Sequence, residues 1–322
     1  MFLEPDSVGL RDAALTHGKI GLALGGGAAR GWAHIGVLKR LTEAGLRPDI
    51  VVGTSIGAVV GGCYVANKLG VLEEFACGLT RRKIFGLLDF NLTGSGLITG
   101  RRLCERLDQH LSELSIEELE RRFVAVATEL GSGHEVWLSR GRLVEAMCAS
   151  YALPGVFHPV NINNRWLIDG ALVNPIPVSV CRALGARFVI AINLHSDSFG
   201  TGTVVPDQGA DEDTVLPSDP QAEIGNPAKR SARHLLHRQF FGRGGDGAPG
   251  ISSVMIDAFN IIQDRVARSR LAGDPPDLII APKLPGFGLF EFHRAVEMIK
   301  IGEAAAEREI SHIQEAVGLI AA

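Results

Sequence analysis

Apolar residues along the chain come in short runs that alternate with longer segments of helical spacing. KIGLAL (19–24) is an apolar run stopped by Gly25-Gly26-Gly27, the pattern of a buried strand feeding a turn. In 31–45, Trp32, Ile35, Leu38 and Leu41 share one helix face, and Gly45 ends the segment. Pro48 precedes a second apolar strand, DIVVG, and 55–67 resumes as a helix of small residues. The period predicts further helices over 99–112 (Thr99 as its cap), 141–151, 176–184, 251–271 and 289–318. Strands are predicted at RFVAVATEL (122–130), EVWLS (135–139), RWLIDG (165–170), RFVIAINL (187–194) and DLIIAP (277–282). Strand–helix alternation of this kind gives an α/β fold, a mostly parallel sheet covered by helices on both faces.

The rhythm breaks over 196–250. DQGADEDTVLPSDPQAE carries acids and no base, KRSARHLLHRQFFGR carries bases and no acid, and FGRGGDGAPG closes the segment. We read it as a flexible insertion within one domain, because ordered patterns resume beyond it.

Composition narrows the classes. The 322 residues are 46% hydrophobic and 21% charged, enough for a sizeable core, and the formal charge of −4 offers no global attraction to nucleic acid. Aromatics, at 6%, are too few for a base-stacking platform. Five scattered cysteines without a CxxC pair argue against a disulfide framework or zinc knuckle and fit a reducing, cytoplasmic setting. Glu4 and Asp6 stand where a secretory signal needs bases. The uncharged run Ile50 to Ala66 falls short of a membrane span and is broken by glycines. No spacing of ligands implies a metal or cofactor.

Two segments carry chemistry. GTSIG (53–57) matches G-x-S-x-G, a weak signal alone, but an apolar strand precedes it and a helix-compatible run follows. That context puts the Ser55 hydroxyl on a strained turn at a helix N-terminus, where the dipole favours developing negative charge. GGGAARG (25–31) lies between a strand and a helix, where unhindered amides form an anion-binding concavity. It reads as a phosphate cradle or as an oxyanion hole. The dinucleotide fingerprint wants glycine at Ala28 and an acid closing the second strand, which closes at Gly53 instead. A base is also required. Asp169, before Gly170, is on its own a turn residue. The rival is a histidine triad, with His195 ahead of His234, His237, His293 and His312, while His34 reads as a packing residue.

LGGGAARGWAHIGVLKRL, VVGTSIGAVVGGCYV, ASYALPGVFHPV and WLIDGALVNPIPV, followed by VIAINL and DLIIAPKLPGFGLFEFHRA, resemble the bacterial patatin-like phospholipases of the RssA and neuropathy target esterase-like branch. The resemblance covers 18–310 apart from 196–250. It implies a three-layer patatin-like fold and a serine lipid acyl hydrolase with a Ser–Asp dyad and no cofactor. Carried over, Ser55 is the nucleophile, Asp169 the base, and amides near Gly26, Gly27 and Ala28, with Arg30 close by, the oxyanion hole. The family pattern has glycine where this chain has Ala28, and alanine is expected there only at negative φ or with crowding relieved. The implied substrates are phospholipids or lysophospholipids, met at a membrane surface. Lys229 to Arg243 is a candidate peripheral contact at the inner membrane face, with Ala232, Leu235, Leu236 and Phe240 on one helical face. An acyltransferase of related fold and a lipid-binding regulatory protein are the alternatives. The first usually relies on a histidine beside the serine, where this chain has Thr54 and Ile56.

Overall fold

The computed structural model describes residues 19–87, 101–111, 114–195 and 251–321. The segments 196–250 and 229–243 and the Thr99 cap lie outside the described residues. By contacts the chain divides into a main unit, Met1–Ser198 with Ile261–Ala322, and a second unit, Phe199–Asn260. Within the second unit, 251–260 is described and is helical.

The strands are β1 (Ile20–Leu24), β2 (Ile50–Thr54), β3 (Arg122–Glu129), β4 (Glu135–Leu138), β5 (Val160–Ile162), β6 (Arg165–Asp169), β7 (Phe188–Ile192) and β8 (Leu278–Ile280). The helices are α1 (Trp32–Glu43), α2 (Ile56–Val65), α3 (Leu69–Cys77), α4 (Arg81–Leu87), α5 (Arg101–Leu111), α6 (Leu143–Ser150), α7 (Val178–Ala183), α8 (Ile251–Gly273) and α9 (Ala295–Ala321). The sheet runs β5-β6-β3-β2-β1-β7-β8, with β4 also paired to β3. From β3 to β8 all neighbours on this path are parallel, while β4, β5 and β6 pair antiparallel.

Side chains alternate between two apolar layers, as pleating requires. Leu22, Leu24, Val51, Phe123, Ile190 and Ile192 pack with residues of α1, α2, α6 and α9. Ala23, Val52, Val124, Val189 and Ala191 pack on the other face with Val178, Val180 and Cys181 of α7 and Ala267 of α8. This is a three-layer α/β/α domain with a mostly parallel sheet. No described helix is long and apolar enough to cross a membrane.

One edge of β3 brings two strands end to end. Thr54 of β2 pairs with Val126, and Asp169 of β6 pairs with the next residue, Ala127. Since β4 overlaps both along Ala125 to Thr128, β2 and β6 share the opposite edge of β3. They arrive from opposite directions, and their ends abut.

Helices α3 and α4 and strand β5 are not among the elements expected from the sequence; α3 buries Leu72 and Ala76 on one face. The scattered cysteines also hid a contact. Cys104 on α5 and Cys148 on α6 form a disulfide, a pairing that the scattered spacing did not announce. Tertiary packing of the two helices, not sequence spacing, brings them together.

Candidate active site

Ser55 sits in the turn between β2 and α2 with φ 57° and ψ −127°, a left-handed conformation that costs a non-glycine residue roughly 1–3 kcal/mol. The close turn needs its glycines. A Cβ on Gly57 would stand 2.3 Å from the Leu24 carbonyl oxygen, and one on Gly53 would stand 2.4 Å from that of Gly57. The abutting strand ends deliver the partner: Ser55 Oγ donates to Asp169 Oδ2 at 2.6 Å. Asp169 Oδ1 accepts from the Ala171 N–H at 2.8 Å, a cap that orients the carboxyl group.

Both side chains are nearly dry, Ser55 at 7% and Asp169 at 1% exposure. Burial pushes the Asp169 carboxyl up to about 7, against the lowering effect of its bonds from Ser55 and Ala171. Such a carboxyl exchanges a proton with a hydroxyl near neutral pH.

The glycine loop after β1 passes beside the serine. A Cβ on Gly26 would lie 3.5 Å from that of Ser55. The loop's amides are not equivalent. Gly26 N–H donates to the Pro175 carbonyl, Ala29 N–H to Leu289 and Arg30 N–H to Gly27. Gly26 therefore does not offer a donor, a correction to the expected set, and the loop's remaining amides are those of Gly27 and Ala28. Ala28 stands at φ 49°, so of the two expected conditions, a negative φ or relieved crowding, the first is not met, and the loop carries this strain. Arg30 Nε donates to the Phe287 carbonyl at 3.1 Å, and burial lowers its pKa.

No histidine bonds to Ser55 or Asp169 among the described residues. His195 is buried, and burial first, then the Arg30 charge, lowers it to about 4, against the raising effect of the Gly26 backbone. His34, expected as a half-buried packing residue, is fully buried, and its Nε2 donates to the Gly25 carbonyl at 2.7 Å. His293 bonds Arg81 and His312 bonds Glu309, while His234 and His237 lie outside the described residues.

Three buried hydroxyls escaped the sequence reading. Thr54 Oγ1 donates to the Asn174 carbonyl, Thr128 Oγ1 to that of Asp169 and Ser150 Oγ to that of Val126. Their only sequence signal is a small polar residue inside or beside an apolar run. Among the described residues, no three His, Cys, Asp or Glu side chains gather closely enough to hold a metal.

Comparison with known proteins finds similar sequences and solved structures. A family model described as patatin-like phospholipase matches residues 22–182. An uncharacterized NTE family protein of Mycobacterium tuberculosis is 32% identical, covering 95% of this chain and 95% of that one. A patatin-like phospholipase domain-containing protein of Caenorhabditis elegans is 36% identical, over 56% of this chain and 14% of its own. VipD of Legionella pneumophila, a solved structure, aligns over 92% of this chain and 67% of its own at 15% identity and a TM-score of 0.43.

Proposed function

Because the chain belongs to the patatin-like phospholipase family, a family of lipid hydrolases, we propose that it is a serine acyl-ester hydrolase acting on phospholipid or lysophospholipid esters through Ser55 and Asp169. The observation that carries the reading is the 2.6 Å hydroxyl–carboxyl contact beside a loop whose Gly27 and Ala28 amides donate to no other described residue. Residues 18–310 act in this reading as one patatin-like domain carrying 196–250 as an insertion.

Ser55 Oγ attacks the ester carbonyl carbon while its proton passes to Asp169 Oδ2. The carbonyl oxygen gains negative charge and accepts from the Gly27 and Ala28 N–H groups; one such donor is worth on the order of 10²–10³ in rate. Collapse breaks the ester C–O bond, and the leaving alkoxide takes the proton from Asp169. Water then loses a proton to Asp169 as it attacks the acyl carbon, and Ser55 departs with that proton as the fatty acid is released. Histidine has no step, since among the described residues none bonds Ser55 or Asp169. Contact with the lipid surface runs through 229–243. Liposome co-sedimentation unchanged by deleting 229–243 would remove that part of the reading alone.

The test is hydrolysis of a panel of phospholipids, lysophospholipids and short p-nitrophenyl esters by the intact chain and by Ser55→Ala. Fatty acid released by the intact chain and not by the variant is the expected result. A folded intact chain that neither hydrolyses any member nor reacts with a fluorophosphonate probe overturns the proposal.

A further inference from the structure

The gap where β2 and β6 abut leaves two backbone groups outside the regular ladder: the Val126 carbonyl of β3 and the N–H of Ser55. One side chain serves both. Ser150 Oγ, at the C-terminal end of α6, donates to Val126 O at 2.6 Å and accepts from Ser55 N–H at 2.9 Å. A hydroxyl carries one proton and free lone pairs, so a single atom can do both. Ser150 is fully buried and its proton is spent on Val126, so it has no donor left for substrate. The point is tight as well, since a Cβ on Gly170 would lie 2.2 Å from the same Val126 oxygen.

We infer that Ser150 is a positioning residue whose hydroxyl ties the Ser55 amide to β3 and thereby holds Ser55 Oγ on Asp169. The inference rests on the reading of Ser55 as the nucleophile. Ser55 stands at φ 57°, away from the preferred backbone basins, and stays there only if its peptide is held from both sides. Its carbonyl is engaged by the first turn of α2, through the N–H groups of Ala58 and Val59. Its N–H is engaged by Ser150. Removing the hydroxyl frees the peptide to rotate and moves Oγ with it. Substrate affinity does not change, because Ser150 touches no substrate.

The experiment compares the intact chain with Ser55→Ala, Ser150→Ala, Ser150→Thr and Ala149→Gly, measuring kcat and KM on a p-nitrophenyl ester, the rate of fluorophosphonate labelling, and Tm. Ser150→Ala is expected to lower kcat and labelling on the order of 10²-fold, as a misplacement of about 1 Å does, with KM unchanged. Ser150→Thr keeps the hydroxyl and recovers most of the loss. Ala149→Gly weakens the same helix and lowers Tm without lowering kcat. Two results overturn the inference: Ser150→Ala retaining kcat, or a folded Ser150→Thr no better than Ser150→Ala. A kcat loss in Ala149→Gly equal to that of Ser150→Ala does so too, since the effect is then one of stability. Activity surviving in Ser55→Ala takes down the nucleophile reading instead, and this inference with it.

Discussion

Two strand-to-helix turns face one another across the site, one after β1 and one after β2. Each is rich in glycine, and each forces one non-glycine residue into the left-handed region, Ala28 at φ 49° and Ser55 at φ 57°. They differ in what they present. The first turn presents the main-chain N–H groups of Gly27 and Ala28, which donate to no other described residue. The second offers a side-chain hydroxyl, with its own amide tied away on Ser150. On the proposed mechanism a similar backbone strain thus serves opposite ends, donors in one turn and a nucleophile in the other.

The most severe way to break this comparison is to empty the second turn. On the proposed mechanism, Ser55→Ala lowers kcat by about 10⁶-fold and Asp169→Asn by about 10⁴-fold, in a hydrolysis assay with the fold checked by circular dichroism. Crowding comes next. Gly57→Ala sets a Cβ against backbone that cannot yield, and soluble folded protein is expected to be lost. Gly26→Ala meets neighbours at 3.3–3.7 Å, including Ser55 Cβ, so it is expected to fold and to lose kcat on the order of 10²-fold. A Gly57→Ala variant with wild-type Tm would show the second turn to be the looser of the two.

The pH dependence follows from Asp169, whose carboxylate form accepts the proton. Its carboxyl titrates at about 7, so kcat/KM rises with pH through about 7. Stability runs the other way. The folded value lies above the ordinary 3.8, so this group's stabilising contribution is complete below about 4 and is lost as pH rises through about 7. Asp169→Asn, with no buried charge to form, is expected to have a higher Tm than the intact chain at pH 8 while losing activity. A lower Tm there would count against the buried charge as a cost. The smallest effect is at Ala28. Ala28→Gly relieves a positive φ and is expected to add up to about 1 kcal/mol of stability in denaturant unfolding, with activity kept.

The strands that carry the two turns were legible because the apolar runs at 19–24 and 49–53 end in glycine. Ser55 was legible from its glycine flanks. Asp169 alone read as a turn residue. Its place beside Ser55 depends on β3, through a pairing between residues far apart in sequence, and local patterns hold no record of that; the resemblance supplied it. The amide count failed at Gly26 for a similar reason, since its acceptor, the Pro175 carbonyl, comes from a distant loop. Ser150 was hidden at the end of the helix LVEAMCAS, whose pattern marks no residue for chemistry. The meeting of α1 with α9 was equally silent: a Cβ on Gly36 would lie 2.0 Å from the Ile299 carbonyl, and one on Gly302 would lie 2.0 Å from that of Ala33. Only the crossing of the two helices gives those glycines their meaning.

The abutment of β2 and β6 on one edge of β3 makes that strand a ruler. Ser55 and Asp169 are spaced by counting along it, one notch apart, rather than by the length of the 114 residues that separate them in the chain. Surface connections between Ser55 and Asp169 can therefore lengthen or shorten through evolution without disturbing the pair. A single residue inserted between Val126 and Ala127 would move the notch and turn the following side chains to the opposite face.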